Sequence, residues 1–524
     1  MLEILVIVGT ILLLYYLTVK PYDYWSKRNV KTGPFLPFFG HSLYFLLGKE
    51  NFAQFSGRIY RKLKDVRYVG IYNLMTPALI IKSPELIKQI CVKDFDHFMD
   101  HNSIVPDGVD ELWSKNLLAL RGHTWKNMRP KLSPSFTSKK IKSMFTLICQ
   151  NADSFREYFM KKNGHIIEVD FKDTFTRYTN DAIASTAFGI EIDSLKDRNN
   201  EFYLMGREVV DLGSLKMKII MSAYHFFPTI CKFFRLPLLG DKPKNFFINI
   251  VKDTIKLREK TNFKRNDMLG LLIEARKGQQ NEDNTDEVKD NSFAATEEHF
   301  AGNQGAGDLS DMDIAAQVFI FFLAGFDTVS SAMCFMAYEL AANPEVQKKL
   351  IDEIDRNKPD TWPPSYDTIA NMPYIDMVVT ETLRKWPISG TLDRVVTKPY
   401  VIEPKLPGEK PVHLEKDTMI VIPSFAIQRD PENYKDPERF DPERFSPENR
   451  KNVDPYIFLP FGIGPRNCIG SRFALLEIKS VFFYLLSHFE IVPVEKTHIP
   501  LKINKNSMTL NSEHGFVMGL KRRK

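Results

Sequence analysis

Cysteine is scarce in this sequence. Cys91, Cys149, Cys231, Cys334 and Cys468 are scattered through 524 residues, and no two form a C-x-x-C pair. An odd, dispersed set excludes a disulfide framework, which needs partners, and a thiolate zinc site, which needs ligands at short spacing. No G-x-G-x-x-G stands between a strand-like run and a helical one, so the usual cradle for a dinucleotide pyrophosphate is missing. No segment repeats. Excess charge is small: 71 Lys and Arg face 65 Asp and Glu, a net +6, too little to argue for a nucleic-acid partner.

Large apolar side chains are plentiful. The chain is 44% hydrophobic and holds 40 Phe, enough to bury a sizeable core. Val66–Ile81, with Tyr68-Val69-Gly70-Ile71-Tyr72, has strand character, and strand-like runs return at Arg394–Val401, Met419–Ile422 and near the C-terminus. Most of the chain from Asp153 to Leu350 has helical spacing. The expected fold is mainly α with a minor β portion. Between Lys277 and Asp311 the composition turns to Asn, Asp, Glu, Gln and Gly, which predicts a mobile surface loop.

Leu2–Val19 is almost wholly apolar and as a helix would be about 27 Å long, the thickness of a thin bilayer core. Glu3 replaces the basic residue of a signal peptide and Leu17-Thr18-Val19 offers no cleavage site, so an uncleaved N-terminal transmembrane helix is expected. Lys20, Lys27, Arg28 and Lys31 follow it and place the body in the cytosol, where thiols stay reduced. Gly33-Pro34-Phe35-Leu36-Pro37 reads as a stiff spacer. The division expected is an anchor over 1–20, a proline-rich linker over 21–40 and a catalytic body over 41–524. A second apolar stretch, Ile219–Leu239, is broken by Pro228, Lys232, Arg235 and Pro237. It reads either as a core helix pair or as a surface loop dipping into the membrane interface.

Four of the cysteines sit in apolar runs, where a thiol behaves as a small buried hydrophobe. Cys468 differs. Phe461-Gly462-Ile463-Gly464-Pro465-Arg466-Asn467-Cys468-Ile469-Gly470 cannot form a regular helix or strand. Its glycines let backbone approach a flat ligand, and free N–H groups beside the sulfur favour a thiolate. Arg466 suits a carboxylate of that ligand. Helical periodicity resumes at Ala474, which puts the sulfur near a helix N-terminus.

This loop resembles the haem-binding segment of the cytochrome P450 family, F-x-x-G-x-R-x-C-x-G, at Phe461, Gly464, Arg466, Cys468 and Gly470. The resemblance implies a cytochrome P450-like fold and haem b (iron protoporphyrin IX) with Cys468 as its axial thiolate. Ala324-Gly325-Phe326-Asp327-Thr328, within the apolar helix Ile314–Leu340, is similar to the family's oxygen-activating motif. There Thr328 would hydrogen-bond dioxygen or its water and Asp327 would relay protons. Trp125 and Arg129 match W-x-x-x-R and, with Arg394, imply propionate partners. Glu381, Arg384 and Arg444 resemble a buried network that fixes the cysteine loop. Gln428 is a departure, standing where relatives often carry His.

Asp94-Phe95-Asp96-His97-Phe98 and the Ala324–Val329 run look most like the arthropod microsomal branch that oxidises xenobiotics. That likeness implies an endoplasmic reticulum membrane enzyme, a monooxygenase acting on lipophilic small molecules. NADPH-cytochrome P450 reductase would supply electrons, with cytochrome b5 as a second donor, and Lys126, Lys131, Lys139 and Arg472 are the candidate docking charges. Two other readings stay open: a haem-thiolate isomerase or dehydratase, which needs no reductase, and a non-catalytic haem sensor or carrier, which favours six-coordinate iron.

Overall fold

The computed structural model describes residues 20–277, 292–296 and 309–523, except positions 64, 104, 107, 212, 213, 361 and 508, together with residues 3, 4, 7–10 and 15. The anchor expected over 1–20 thus lies mostly outside the described residues.

The helices include α1 (Gly122–Leu132), α2 (Ser138–Met160), α3 (Phe171–Ile183), α4 (Leu215–Phe226), α5 (Pro228–Phe233), α6 (Met268–Arg276), α7 (Asp311–Ala342), α8 (Pro373–Lys385) and α9 (Ser471–Leu486). The strands are β1 (Tyr68–Asn73), β2 (Thr76–Ile81), β3 (Ile166–Asp170), β4 (Leu392–Val395), β5 (Tyr400–Ile402), β6 (Val412–Leu414), β7 (Met419–Ile422), β8 (Phe489–Val492) and β9 (Val517–Arg522). The fold is mainly helical with a minor β portion, as composition and periodicity predict.

Helix α7 is the spine. Its start is fixed by a capping box in which the Ser310 hydroxyl accepts from the Asp313 N–H and the Asp313 carboxylate accepts from the Ser310 N–H. Pro344 prevents its continuation and opens the next helix. The helix is long and apolar enough to cross a membrane, yet it is mostly buried inside the protein, which makes it a core helix. Helix α3 lies close along it: the Thr179 hydroxyl donates to the Phe326 carbonyl at 2.8 Å. Gly325 permits that approach, because a Cβ there would sit 2.6 Å from the Ile183 side chain.

The largest sheet has the order β1-β2-β7-β4, parallel only between β2 and β7. It sets Arg394 on β4 opposite Ile420 on β7. The run Val66–Ile81 is two strands rather than one, turned at Leu74 with φ +55°, and neither central residue of the turn, Leu74 or Met75, is a Gly or Asn. Arg394–Val401 likewise divides between β4 and β5, which belong to different sheets. Among the described residues one short strand, β3, interrupts the helical stretch expected from Asp153 to Leu350.

The apolar stretch 219–239 is a surface helix pair. Tyr224, Cys231 and Leu238 are buried, but Ile219, Phe226, Phe227, Ile230, Phe233 and Phe234 are exposed. The polar stretch Lys277–Asp311 falls mostly outside the described residues. Its piece Ser292–Thr296 is packed against the body, with Ser292 and Ala294 buried, so the expectation of a mobile surface loop does not hold there.

Helix α9 carries a buried carboxyl. Glu477 is fully buried with Tyr178 and Ser480 close to it in burial, and both its oxygens, the Tyr178 hydroxyl and the Ser480 hydroxyl have no hydrogen-bond partner among the described residues. Burial holds the Glu477 carboxyl well above its usual 4.5, so the folded chain keeps this proton more tightly than the unfolded chain does. Stability contributed by the proton is complete below the usual value and is lost as pH rises from there toward the folded value, at about 1.4 kcal/mol per pH unit. Glu477→Gln is expected to match the parent in thermal midpoint near pH 4 and to exceed it increasingly toward pH 7. A constant difference across that range would refute the assignment.

Candidate active site

The cysteine loop owes its shape to its glycines. Gly462 and Gly464 have φ of +72° and +75°, in the left-handed region that costs a side-chain-bearing residue strain. At Gly464 a Cβ would also overlap the Cys91 carbonyl. The loop closes through the Cys468 N–H to the Phe461 carbonyl at 2.8 Å and the Asn467 N–H to the Gly464 carbonyl at 3.0 Å. Cys91, Cys149, Cys231 and Cys334 are buried, whereas Cys468 is exposed between buried Asn467 and partly buried Ile469. Burial of the surrounding protein raises the thiol's pKa, opposed by the Gly470 N–H and the Arg129 charge.

Three guanidinium groups converge on this loop. Arg129 on α1 donates to the Asn467 carbonyl at 3.0 Å and to the Asn467 side chain at 2.9 Å. Arg394 reaches the Ile463 carbonyl at 3.3 Å. Arg466 donates to the Leu118 and Leu120 carbonyls and lies over the Trp125 ring at 4.4 Å. All three arginines and Trp125 are buried. Burial, then repulsion from Arg394, brings the Arg466 guanidinium down to about 9, with Arg129 adding to it and Asp100 and Asp393 opposing. Arg394 Nε and Arg466 Nη1 are buried donors with no partner among the described residues. Such donors are costly to bury unless an acceptor meets them. Two carboxylates of a flat ligand beside Cys468 fit this donor set.

Helix α7 is open to solvent at its middle. Residues 314–322 and 329–341 are buried, but Ala324 and Thr328, one turn apart on one face, are exposed. The Thr328 hydroxyl donates to the Ala324 carbonyl at 2.5 Å. Gln317 ties α7 to the 115–120 segment through the Lys115 carbonyl and the Leu117 N–H, and Arg466 holds the same segment from the loop side. Asp327 turns elsewhere. Lys172 on α3 binds its Oδ1 at 2.8 Å and also reaches the Ser330 and Ser331 hydroxyls, while the Thr509 hydroxyl lies 3.4 Å from Oδ2. The structure therefore brings Thr328 to the open face and leaves Asp327 beside it in an ion pair.

The chain matches the family model for Cytochrome P450 over residues 30–518. Cytochrome P450 9e2 of Blattella germanica is 40% identical to it, over 98% of this chain and 96% of the relative. Probable cytochrome P450 9f2 of Drosophila melanogaster is 36% identical over 96% and 95%, and Cytochrome P450 6k1 of Blattella germanica is 36% identical over 98% and 96%. The chain belongs to the cytochrome P450 family. Membership makes it a haem monooxygenase, an oxidoreductase.

In this cytochrome P450 the sequence-matched Glu381, Arg384 and Arg444 do meet. Arg384 grips Glu381 through two bonds of 2.6 and 2.9 Å, and Arg444 Nε lies 3.5 Å from the same carboxylate. Gln428 joins them. Its amide donates to the Leu383 and Arg384 carbonyls at 3.0 and 2.7 Å and accepts from the Leu459 N–H at 2.6 Å, which ties the end of α8 to the segment leading into the cysteine loop. Among the docking charges, Lys126 pairs with Asp96 at 3.3 Å. Lys139 is exposed, and Lys131 and Arg472 are half-buried. Lys172 and Thr509 carry no motif, and sequence reasoning missed both.

Proposed function

We propose that this chain is an endoplasmic reticulum monooxygenase that inserts one oxygen atom from O2 into a lipophilic small molecule of the xenobiotic class. Residues 1–20 anchor it, 21–40 link, and 41–524 form a cytosolic catalytic body. Electrons come from NADPH through NADPH-cytochrome P450 reductase, with cytochrome b5 as a second donor. The observation that carries the reading is the gathering of Arg129, Arg394, Arg466 and Trp125 around the loop that holds the exposed Cys468, with two buried guanidinium donors left without partners among the described residues. The exposed apolar side chains of α4 and α5, and those of Leu36, Phe38, Phe39 and Leu47, support contact with a lipid surface.

Haem b, when bound, supplies reductive activation of O2 and oxygen transfer to carbon. Cys468 would hold its iron, and Phe461 would pack beside the ring. Arg466 and Arg394 would bind its propionates with Trp125 and Arg129. Desolvation keeps the thiol's pKa above its usual value and the Gly470 N–H and the Arg129 charge only partly oppose it, so the anionic sulfur would need the metal's own charge. Thr328 holds a proton at Oγ1 that is now committed to the Ala324 carbonyl and delivers it to the open face when that bond breaks. Asp327, 30% exposed, connects Thr328 with solvent, and Lys172 fixes its carboxylate.

A ferrous-CO spectrum of the purified protein should show the red-shifted Soret band of a thiolate ligand, and reductase plus NADPH should yield oxygenated product from a lipophilic panel. A normal CO band with no product from any member would favour an isomerase. Lys172→Met is expected to keep the CO band and to lower product per NADPH consumed by about tenfold, a fraction of what general acid catalysis supplies. Unchanged coupling would mean that Asp327 acts without its lysine.

A further inference from the structure

We propose that Thr296 is a positioning residue for the thiolate loop, and that the short segment Ser292–Thr296 is a strap that sets how easily the iron is reduced. The inference rests on the reading of Cys468 as the iron's ligand.

The strap is held at one end by a buried charge. Lys479 on α9, 2% exposed, donates to the Ser292 hydroxyl at 2.6 Å and pairs with Asp376 on α8 at 2.8 Å. The Ser292 hydroxyl donates to Asp376 Oδ1 at 2.5 Å, and the Phe293 N–H to Asp376 Oδ2 at 3.2 Å. An isolated ammonium is expensive to bury, so Ser292 completes a set that Lys479 and Asp376 need. The Phe293 ring then lies 5.3 Å from both Phe445 and Phe458. Phe445 adjoins Arg444, and Phe458 is three residues before Phe461, so the ring wedges between the Glu381 network and the cysteine loop.

At the other end the contact is with the cysteine itself. The Thr296 N–H donates to the Ser471 hydroxyl at 3.3 Å, the two hydroxyls are 2.9 Å apart, and the Thr296 hydroxyl donates to the Cys468 carbonyl at 3.2 Å. These bonds are consistent in one direction: Thr296 N–H to Ser471, Ser471 O–H to Thr296, and Thr296 O–H to Cys468. Each hydroxyl thereby donates once and accepts at most once, and the chain polarises the carbonyl next to the thiol. Hydrogen bonds behind a metal's ligand tune its potential. A donor drawing density from the Cys468 carbonyl favours the added electron of the reduced state. Without it, reduction is harder.

The test uses full-length, haem-loaded protein and a redox titration. Thr296→Val, which keeps shape and loses the hydroxyl, should weaken the equilibrium constant for one-electron reduction by about three- to tenfold, tenfold being 59 mV. Thr296→Ser should restore the parent value, and both should keep the thiolate-type CO band. A Thr296→Val protein with the parent's potential overturns the proposal. Should that variant bind no haem, Ser292→Ala decides, because it loosens the far end of the strap: a shift in the same direction supports the proposal and an unchanged potential overturns it. A parent without the thiolate-type CO band would instead defeat the proposed function, independently of any variant.

Discussion

Replacing Cys468 with serine is expected to abolish the red-shifted ferrous-CO band and to lower monooxygenase turnover by at least about a thousandfold, equivalent to about 4 kcal/mol in the barrier. The substitution is nearly isosteric, and the loop should survive it. The bonds that shape the turn run through backbone, from the Cys468 N–H to Phe461 and from the Asn467 N–H to Gly464, and Arg129 grips Asn467 rather than the thiol. What is lost is the soft anionic ligand whose electron donation favours O–O cleavage. A serine hydroxyl is far too weak an acid to replace it. Haem content, measured as a pyridine complex, separates ligand loss from cofactor loss: the three arginines and Trp125 remain, so substantial haem binding should persist while the CO band moves. Retention of both the band and turnover would remove Cys468 from the site.

The cysteine loop was legible from the sequence because its backbone demands particular residues. Gly464 has a positive φ and its α-carbon lies against the Cys91 carbonyl, so the glycine records geometry as well as chemistry. Arg129 and Arg394 are less transparent: each is an ordinary arginine until strand β4 and helix α1 bring it to Asn467 and Ile463. Only the family pattern singled them out. Lys172 could not be found that way. It meets Asp327 across 155 residues, and neither its spacing nor its neighbours mark it. Thr296 lies in a polar run whose composition predicts a loose loop, and its contact with Cys468 depends on Asp376 and Lys479 from two other helices. Gln428 stood out as a departure, but its three bonds are visible only in the folded chain. The hairpin at Leu74 escaped notice because its two central residues, Leu74 and Met75, are neither Gly nor Asn.

Glu381→Ala is expected to cost about 3–5 kcal/mol, the usual penalty for leaving a buried charge without its partner. That is a large share of the roughly 5–15 kcal/mol that holds a folded domain together. Glu381 and Arg384 are both fully buried. The carboxylate takes two bonds from Arg384, one from the Asp441 N–H and the approach of Arg444. Arg384 in turn holds the Gln428 and Pro437 carbonyls at 2.8 Å each. Truncation leaves Arg384 with carbonyls alone, and the segment from Gln428 to Leu459 loses its fixed point just before the cysteine loop. The expected result is a lower urea midpoint, with the CO band shifting away from the thiolate position at urea concentrations the parent tolerates. Glu381→Met combined with Arg384→Leu removes the stranded charge and should recover part of the stability. It should not recover the CO band's resistance to urea, because the Gln428 and Pro437 carbonyls lose their donor with Arg384. A double variant as resistant as the parent would show that the pair contributes only packing. A single variant with an unchanged midpoint would show that it contributes nothing to the folded loop.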